Sequence, residues 1–304
     1  MKTFGIKTVD AFTTKAFSGN PAGVVTAAAG LSPEEMQKIA NEMNLVETTF
    51  VFPPQAAGAD FLIRYFTPQS EVAVAGHPTI ATIHALIEDG KIKPAGQLHQ
   101  VQIETGAGVL PVTIEGAPDG GYRITLTLAT PRFEAARLSH AELAVLLGTD
   151  GSNVDTRYAI QKMYTGIYWF VAKLTTLAAI RTLRPDLAGI AELSRREKVT
   201  GIQVFTTETE NPECDFHVRT FLPNEGINED PVCGTGNSCI GAFIVENAIL
   251  PTNGQSLFTS EQGLEVGRPG RVYVEVEGKP RAVTKVRVSG TAVTVLTGEI
   301  QFAG

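Results

Sequence analysis

Glu47, in the run Asn44-Leu-Val-Glu-Thr-Thr-Phe50, is a lone carboxylate just ahead of the apolar Phe50-Val51-Phe52. Partial loss of water at that place would raise its pKa and suit it to carry protons near neutrality. An exposed glutamate at a helix end is the alternative reading. Two glycine-containing turns, Gly76-His77-Pro78 and Gly234-Thr235-Gly236, each stand immediately before an apolar helical stretch. Free N–H groups and the positive end of a helix dipole make such a turn an anion site. Gly76, Gly234, Thr235 and Gly236 are therefore candidates for holding a small carboxylate. His77 lies in the first turn, and Asp230 precedes Pro231 shortly before the second; a helix cap and a turn residue are their simpler readings. Cys233, beside a helix N-terminus, would have a lowered pKa and could act as a thiolate acid or base. Cys239, inside the helix that follows, reads as core.

An internal repeat supplies the elements that must position these groups. Asp60-Phe-Leu-Ile-Arg-Tyr-Phe-Thr-Pro68 matches Asp215-Phe-His-Val-Arg-Thr-Phe-Leu-Pro223 at an offset of 155, with five of nine residues identical. Ala75-Gly-His-Pro-Thr79 falls on Cys233-Gly-Thr-Gly-Asn237 at 158, and Gly108–Gly116 falls on Gly270–Gly278 at 162. Three matches in one order imply two copies of one unit, with short loop insertions explaining the drift. Residues shared by the copies, such as Arg64/Arg219, Phe66/Phe221 and Asp60/Asp215, read as strand packing plus an ion pair. Positions where the copies differ become the functional candidates: Glu47 has no acid opposite it in Lys198–Gly201, and His77 faces Thr235.

Ser32-Pro33-Glu34-Glu35 is a capping box with proline at the first helical position, and Met36, Ile39, Ala40 and Met43 follow at helical spacing. Ser139 to Glu142 opens another helix, which Gly148 ends. Tyr122, Ile124, Leu126 and Leu128 alternate with polar neighbours, as do Val272, Val274 and Val276, then Val286 and Val288, and Val293 and Val295. Period-two strands with one polar face imply largely antiparallel sheets. The expected class is α+β: two pseudo-symmetric domains, each a curved antiparallel sheet around a helix. Gly234-x-Gly236 with Gly241 has the wrong spacing for a dinucleotide fingerprint, and no buried strand precedes it.

Composition narrows the partner. The 304 residues carry a formal net charge of −7 and only 19% charged side chains, with no Lys/Arg cluster, which disfavours nucleic acid and anionic membranes. No window approaches the roughly 18 apolar residues of a membrane helix. Three cysteines without a Cys-x-x-Cys pair argue for a reducing cytoplasm. Histidines 77, 84, 99, 140 and 217 show no ligand spacing, so no metal is expected. A small molecule is the expected partner.

Val9-Asp-Ala-Phe-Thr13, Phe17-Ser-Gly-Asn-Pro-Ala-Gly-Val-Val25, Asn44–Val51, Arg64-Tyr-Phe-Thr-Pro68, Gly76-His77 and Glu229-Asp-Pro-Val232 together resemble the PhzF-like phenazine biosynthesis isomerase family. The resemblance spans nearly the whole chain. It implies a diaminopimelate epimerase-like fold of two pseudo-symmetric halves with the active site between them. The final strand would return to the first domain, giving domains 1–128 (with about 292–304) and 129–291. It also implies a cytoplasmic, cofactor-free homodimer. The phenazine enzyme moves a proton between carbons of trans-2,3-dihydro-3-hydroxyanthranilate; its acid/base glutamate matches Glu47, and its histidine and aspartate match His77 and Asp230. Val46 stands where relatives have serine, and Ala75 where many relatives and the epimerases have cysteine. That excludes a two-thiol epimerase mechanism. Cys233-Gly-Thr-Gly236 instead resembles the epimerases' second cysteine motif. Alternatives are an epimerase, racemase or dehydratase using Cys233 with Glu47, and a non-catalytic small-molecule-binding protein.

Overall fold

The computed structural model describes residues 2–118 and 120–302. The chain divides into two compact units, residues 1–127 with 289–304, and residues 128–288. The first unit contains β1 (Lys2–Ala11), β2 (Asn20–Val25), α1 (Pro33–Met43), β3 (Glu47–Phe52), β4 (Phe61–Phe66), β5 (Glu71–Val72), α2 (Gly76–Glu88), β6 (Leu98–Thr105), β7 (Gly108–Gly116) and β8 (Tyr122–Thr127). The second contains β9 (Arg132–Ala135), α3 (His140–Leu147), β10 (Gln161–Tyr164), β11 (Tyr168–Lys173), α4 (Leu177–Arg181), α5 (Leu187–Glu197), β12 (Gly201–Thr206), β13 (Phe216–Phe221), α6 (Gly234–Glu246), β14 (Gln255–Gln262), β15 (Gly270–Lys279) and β16 (Ala282–Gly290). The last strand, β17 (Ala292–Phe302), pairs antiparallel with β1 from Lys2 opposite Phe302 to Ala11 opposite Ala292.

Both units run the same strand order. In the first it is β17-β1-β2-β3-β4-β6-β7-β8, with β5 added to β4; in the second it is β9-β10-β11-β12-β13-β14-β15-β16. The first six joints alternate identically: antiparallel, antiparallel, parallel, antiparallel, parallel, antiparallel. The sheets are largely antiparallel, as expected, and the two parallel joints in each unit have a physical reason. Parallel neighbours need a crossover, and the helices supply it: α1 between β2 and β3, α2 between β4 and β6, α4 with α5 between β11 and β12, and α6 between β13 and β14. Each unit is α+β, as the sequence implied, with its strands arranged around one helix.

That helix is α2 in the first unit, packed on β1, β2, β3, β8 and β17, and α6 in the second, packed on β11, β12, β14 and β15. Both are buried nearly all round, as a helix enclosed by sheet must be. The covering helix α1 is one-sided. It buries Met36, Ile39 and Ala40 against a cluster with Phe50 and Phe66, whose rings meet edge-on at 5.5 Å. Its N-terminus is the expected capping box, with the Ser32 side chain accepting from the Glu35 N–H and the Glu35 carboxylate accepting from the Ser32 N–H. α3 carries the same box at Ser139 and Glu142 and ends on Gly148 in the left-handed conformation.

The shared residues turn out to be fasteners. Asp60 and Asp215 each start a strand by bonding one rung of the neighbouring strand twice. Asp60 N–H donates to the Gln102 carbonyl and its carboxylate accepts from Gln102 N–H; Asp215 does the same with Thr259. The arginines pair with glutamates rather than with these aspartates. Arg64 makes two hydrogen bonds to Glu71, Arg219 makes two to Glu229, and each guanidinium lies over the phenyl ring two residues on.

Candidate active site

In the first unit, α1 ends with Asn44 in the left-handed conformation. The chain then turns directly into β3, whose first residue is Glu47. Strand register places Phe50 opposite Arg64 and Val204 opposite Arg219. Counting back along each strand, the position equivalent to Glu47 in the second unit is Gly201, so the two units differ here by a whole carboxylate. Glu47 Oε2 stands 3.3 Å from His77 Nε2, with both side chains largely buried.

His77 is not a helix cap. The N-cap of α2 is Ala75, which makes no side-chain cap bond. The imidazole lies inside the unit and bonds the Pro21 carbonyl through its other nitrogen. A carbonyl only accepts, so that nitrogen carries the hydrogen. Burial pushes the ring's pKa down to about 3 against the weaker upward pull of the Pro21 bond. At neutral pH the ring is neutral, and the nitrogen facing Glu47 is a lone pair. A proton held between Nε2 and Oε2 must therefore come from the glutamate. Pro21 belongs to the Asn20-Pro-Ala-Gly23 stretch, quoted above only for its resemblance; nothing in residue type marked its carbonyl as the anchor of His77.

In the second unit, Asp230 and Cys233 stand just before α6. Asp230 is buried; its N–H donates to the Thr220 carbonyl and its carbonyl accepts from Gln262 Nε2. Cys233 is the N-cap of α6, its sulfur accepting from the Gly236 N–H at 3.3 Å. The expected lowering of this thiol is reversed. Burial, and next the Asp230 carboxylate, push it well above the ordinary cysteine value, outweighing the bonds from Thr235 and the Gly236 backbone. Cys239 is buried core, as expected, beside Thr165. Behind the turn, Gln262 Oε1 accepts from the Cys233 N–H and from Asn237 Nδ2. No signal of residue type or spacing marked Gln262, the last of four consecutive polar residues that close β14.

The carboxylate-binding candidates occupy matching places. Gly76 and Gly234 each open a thirteen-residue central helix, and Thr235 and Gly236 follow in the first turn of α6. Trp169 Nε1 donates to the Thr235 hydroxyl. Among the described residues, no three His, Cys, Asp or Glu side chains cluster in a way that could hold a metal ion. Among the same residues, no helix is long and apolar enough to cross a membrane.

Residues 9–298 match the family described as phenazine biosynthesis-like protein, PhzC-PhzF. An uncharacterized isomerase of Clostridium acetobutylicum is 34% identical over 303 residues, covering 99% of each chain. A solved PhzF-family phenazine biosynthesis protein of Bacillus anthracis superposes with a TM-score of 0.91 at 32% identity, covering 99% of this chain and 100% of that one. A hydroxyproline epimerase from Agrobacterium vitis, solved with trans-4-hydroxy-L-proline, gives a TM-score of 0.66 at 15% identity, covering 99% and 91%. At that identity the likeness concerns the fold, which is of the epimerase and racemase type.

Proposed function

The chain belongs to the phenazine biosynthesis-like PhzC-PhzF family and is an isomerase; from that premise we propose that it moves a proton between carbons of a small carboxylate, with Glu47 as the acid/base. The observation that carries the reading is the Glu47–His77 pair. The neutral imidazole, its Nδ1 hydrogen spent on the Pro21 carbonyl, presents only a lone pair to Glu47. Glu47 takes a proton from one carbon, turns it toward His77 Nε2 while the substrate anion is delocalised, and returns it to another carbon. Because His77 keeps its own proton count throughout, Glu47 is the single carrier, and exchange of its carboxyl proton with solvent before the return step labels the receiving carbon. Asp230 orients an amino or hydroxyl group of the substrate. The backbone N–H groups at Gly76, Gly234 and Thr235 hold its carboxylate, the Gly236 N–H being taken by the Cys233 sulfur. A cyclohexadiene carboxylate such as trans-2,3-dihydro-3-hydroxyanthranilate, or a related amino or cyclic acid, has the conjugation to spread the charge, so no cofactor enters the scheme.

An epimerase using Cys233 against Glu47 is the competing chemistry. The upward-shifted thiol makes Cys233 a poor base, so the single-carrier scheme is preferred. Incubation in D2O with amino and cyclohexadiene carboxylates, read by mass or NMR, tests the reading. Wild-type protein incorporates deuterium at carbon, and Glu47→Gln loses roughly 100-fold or more of that rate. Wild-type turnover by Glu47→Gln overturns it.

A further inference from the structure

Strand register extends the duplication to β6 and β14. Leu62 pairs with Glu104 between β4 and β6, and His217 pairs with Glu261 between β13 and β14. Glu104-Thr105-Gly106 of the first unit is therefore the counterpart of Glu261-Gln262-Gly263 in the second. The outer members of the two triplets serve alike. Glu104 accepts from the Gln55 and Ala56 N–H groups, and Glu261 from those of Glu210 and Asn211, again 155 residues on. A Cβ on Gly106 would come within 3.1 Å of the Ala73 carbonyl oxygen, and one on Gly263 within 2.7 Å of the Pro231 carbonyl oxygen. Each glycine thus lies against the residue three places before its central helix.

Only the middle member differs. Thr105 is satisfied inside its own hairpin: its hydroxyl donates to the Gly108 carbonyl and accepts from the Ala107 N–H. The buried Gln262 reaches out of its strand instead. Its Oε1 accepts from the Cys233 N–H at 3.2 Å and from Asn237 Nδ2 at 2.8 Å. Its Nε2 donates to the Asp230 carbonyl at 2.9 Å and to the Thr220 hydroxyl at 3.0 Å, and Thr220 passes its own hydrogen to Gln203 Oε1 on β12. A backbone N–H only donates and a carbonyl only accepts, so the two backbone partners fix which end of the Gln262 amide is which. The Asp230 N–H is held by the Thr220 carbonyl, so both polar backbone groups of Asp230 are tied. Counting back from the helices, Asp230 stands where the first unit has Val72. The polar hub is present in the copy whose segment carries a carboxylate and absent from the copy that has valine there.

We propose that Gln262 is a positioning residue: by clasping the Asp230 carbonyl and the Cys233 N–H with the two ends of one buried amide, it sets where the Asp230 carboxylate stands. This rests on the reading of Asp230 as the group that orients the substrate, and Gln262 acts on it through the backbone alone. Methionine in its place would fill the space and make neither bond. The clasp also has a signature that needs no substrate. The Asp230 carboxylate accepts from the Cys233 thiol, so the S–H bond senses where that carboxylate is.

The test compares the full chain with Gln262→Met, Asp230→Asn and the double variant. The first readout is the infrared S–H stretching band of Cys233, assigned by its loss in Cys233→Ser. In wild type the band lies low because the thiol donates to a carboxylate. Gln262→Met moves it to higher frequency, Asp230→Asn does the same, and the double variant moves it no further. With trans-2,3-dihydro-3-hydroxyanthranilate in D2O, Gln262→Met also lowers kcat for carbon deuteration roughly 10- to 100-fold. Gln262→Asn, one methylene too short to span both partners, repeats the measurements and decides the matter if Gln262→Met folds poorly. A band unmoved by the single Gln262 variants, or moved by them equally with and without the Asp230 carboxylate, overturns the positioning role. So does wild-type kcat in a folded Gln262 variant. Failure of wild type to deuterate any carboxylate of the D2O panel overturns the reading of the site, while the infrared cycle still decides on Gln262.

Discussion

Arg219 grips Glu229 with two hydrogen bonds, of 2.8 and 2.7 Å, one residue before Asp230. Arg219 also donates to the Ile180 carbonyl at 3.0 Å, so the guanidinium is fixed from two sides. The equivalent pair, Arg64 with Glu71, has the same two-bond geometry but is more exposed, and no candidate residue stands next to Glu71. The duplication thus provides a built-in control. Glu229→Gln should lower kcat roughly 10- to 100-fold by releasing the segment that positions Asp230, and should cost about 3 kcal/mol by leaving Arg219 unmatched. Glu71→Gln should leave kcat unchanged and cost no more than about 1 kcal/mol. Steady-state kinetics and urea unfolding of both variants decide it; equal effects on kcat would remove the positioning role.

His77 should stay neutral through the whole working range. Its folded pKa of about 3 lies below the ordinary histidine value near 6.5. The unfolded chain therefore binds a proton that the folded chain refuses. Stability associated with this group is complete above pH 6.5 and is lost as pH falls toward 3, at up to about 1.4 kcal/mol per pH unit. His77→Asn keeps a donor for the Pro21 carbonyl and removes the titration. The stability difference between wild type and this variant should shift against the wild type as pH falls from 6.5 to 4. An imidazole 15N signal for His77 that titrates near 6.5 in the folded protein would contradict it.

His217 should behave in the opposite sense. Its Nδ1 meets Glu261 at 2.8 Å and its Nε2 meets Glu265 at 3.0 Å, with the ring wholly buried. Burial works against the imidazolium, but the two carboxylates outweigh it and raise the pKa; burial likewise opposes both glutamates, whose values are nonetheless lowered by bonding His217. The histidine's contribution is complete below about 6.5 and lost as pH rises through its folded value. The glutamates' contribution is complete above about 4.5 and lost as pH falls through theirs. The cluster is therefore strongest between those limits. His217→Gln should cost about 3–5 kcal/mol there, and the difference from wild type should shrink in alkali. Hydrogen exchange at Glu210 and Asn211, whose N–H groups Glu261 accepts, should speed up in the same variant.

What could be read in the sequence follows the physics of each signal. Capping boxes at Ser32 and Ser139 are local, and both formed. The repeat was legible because Asp60/Asp215 and Arg64/Arg219 must each satisfy the same strand geometry twice. The parallel joints were not legible, since a strand's alternation reports which face is wet and not which neighbour it joins. At the site, Glu47 stood out because its counterpart, Gly201, has no acid. The Cys233 pKa was misjudged because a helix dipole is a local signal, whereas burial and the nearness of Asp230 arise only on folding. Gln203 and Gln262 were invisible for the same reason: a polar residue inside a strand acquires meaning only from what the fold places opposite its amide.

Gly236 offers a test in which the sign of a stability change is decided by one neighbour. In a helix, alanine is intrinsically favoured over glycine by about 1 kcal/mol. At Gly76, which opens α2, a Cβ would meet nothing within 4 Å, so Gly76→Ala should be neutral or mildly stabilising. At Gly236 the same methyl would lie 2.0 Å from Gln203 Nε2 and 2.2 Å from its Cδ. The amide is held by Thr220 and has no ready retreat, so Gly236→Ala should cost about 1–3 kcal/mol from overpacking. In a Gln203→Ala background the obstacle is gone, and Gly236→Ala should then stabilise by up to about 1 kcal/mol. The reversal of sign across this double-mutant cycle, measured by urea unfolding, separates contact with Gln203 from any general intolerance of the turn. A Gly236→Ala effect of the same sign and size in both backgrounds would show that the Gln203 amide is not what keeps position 236 bare.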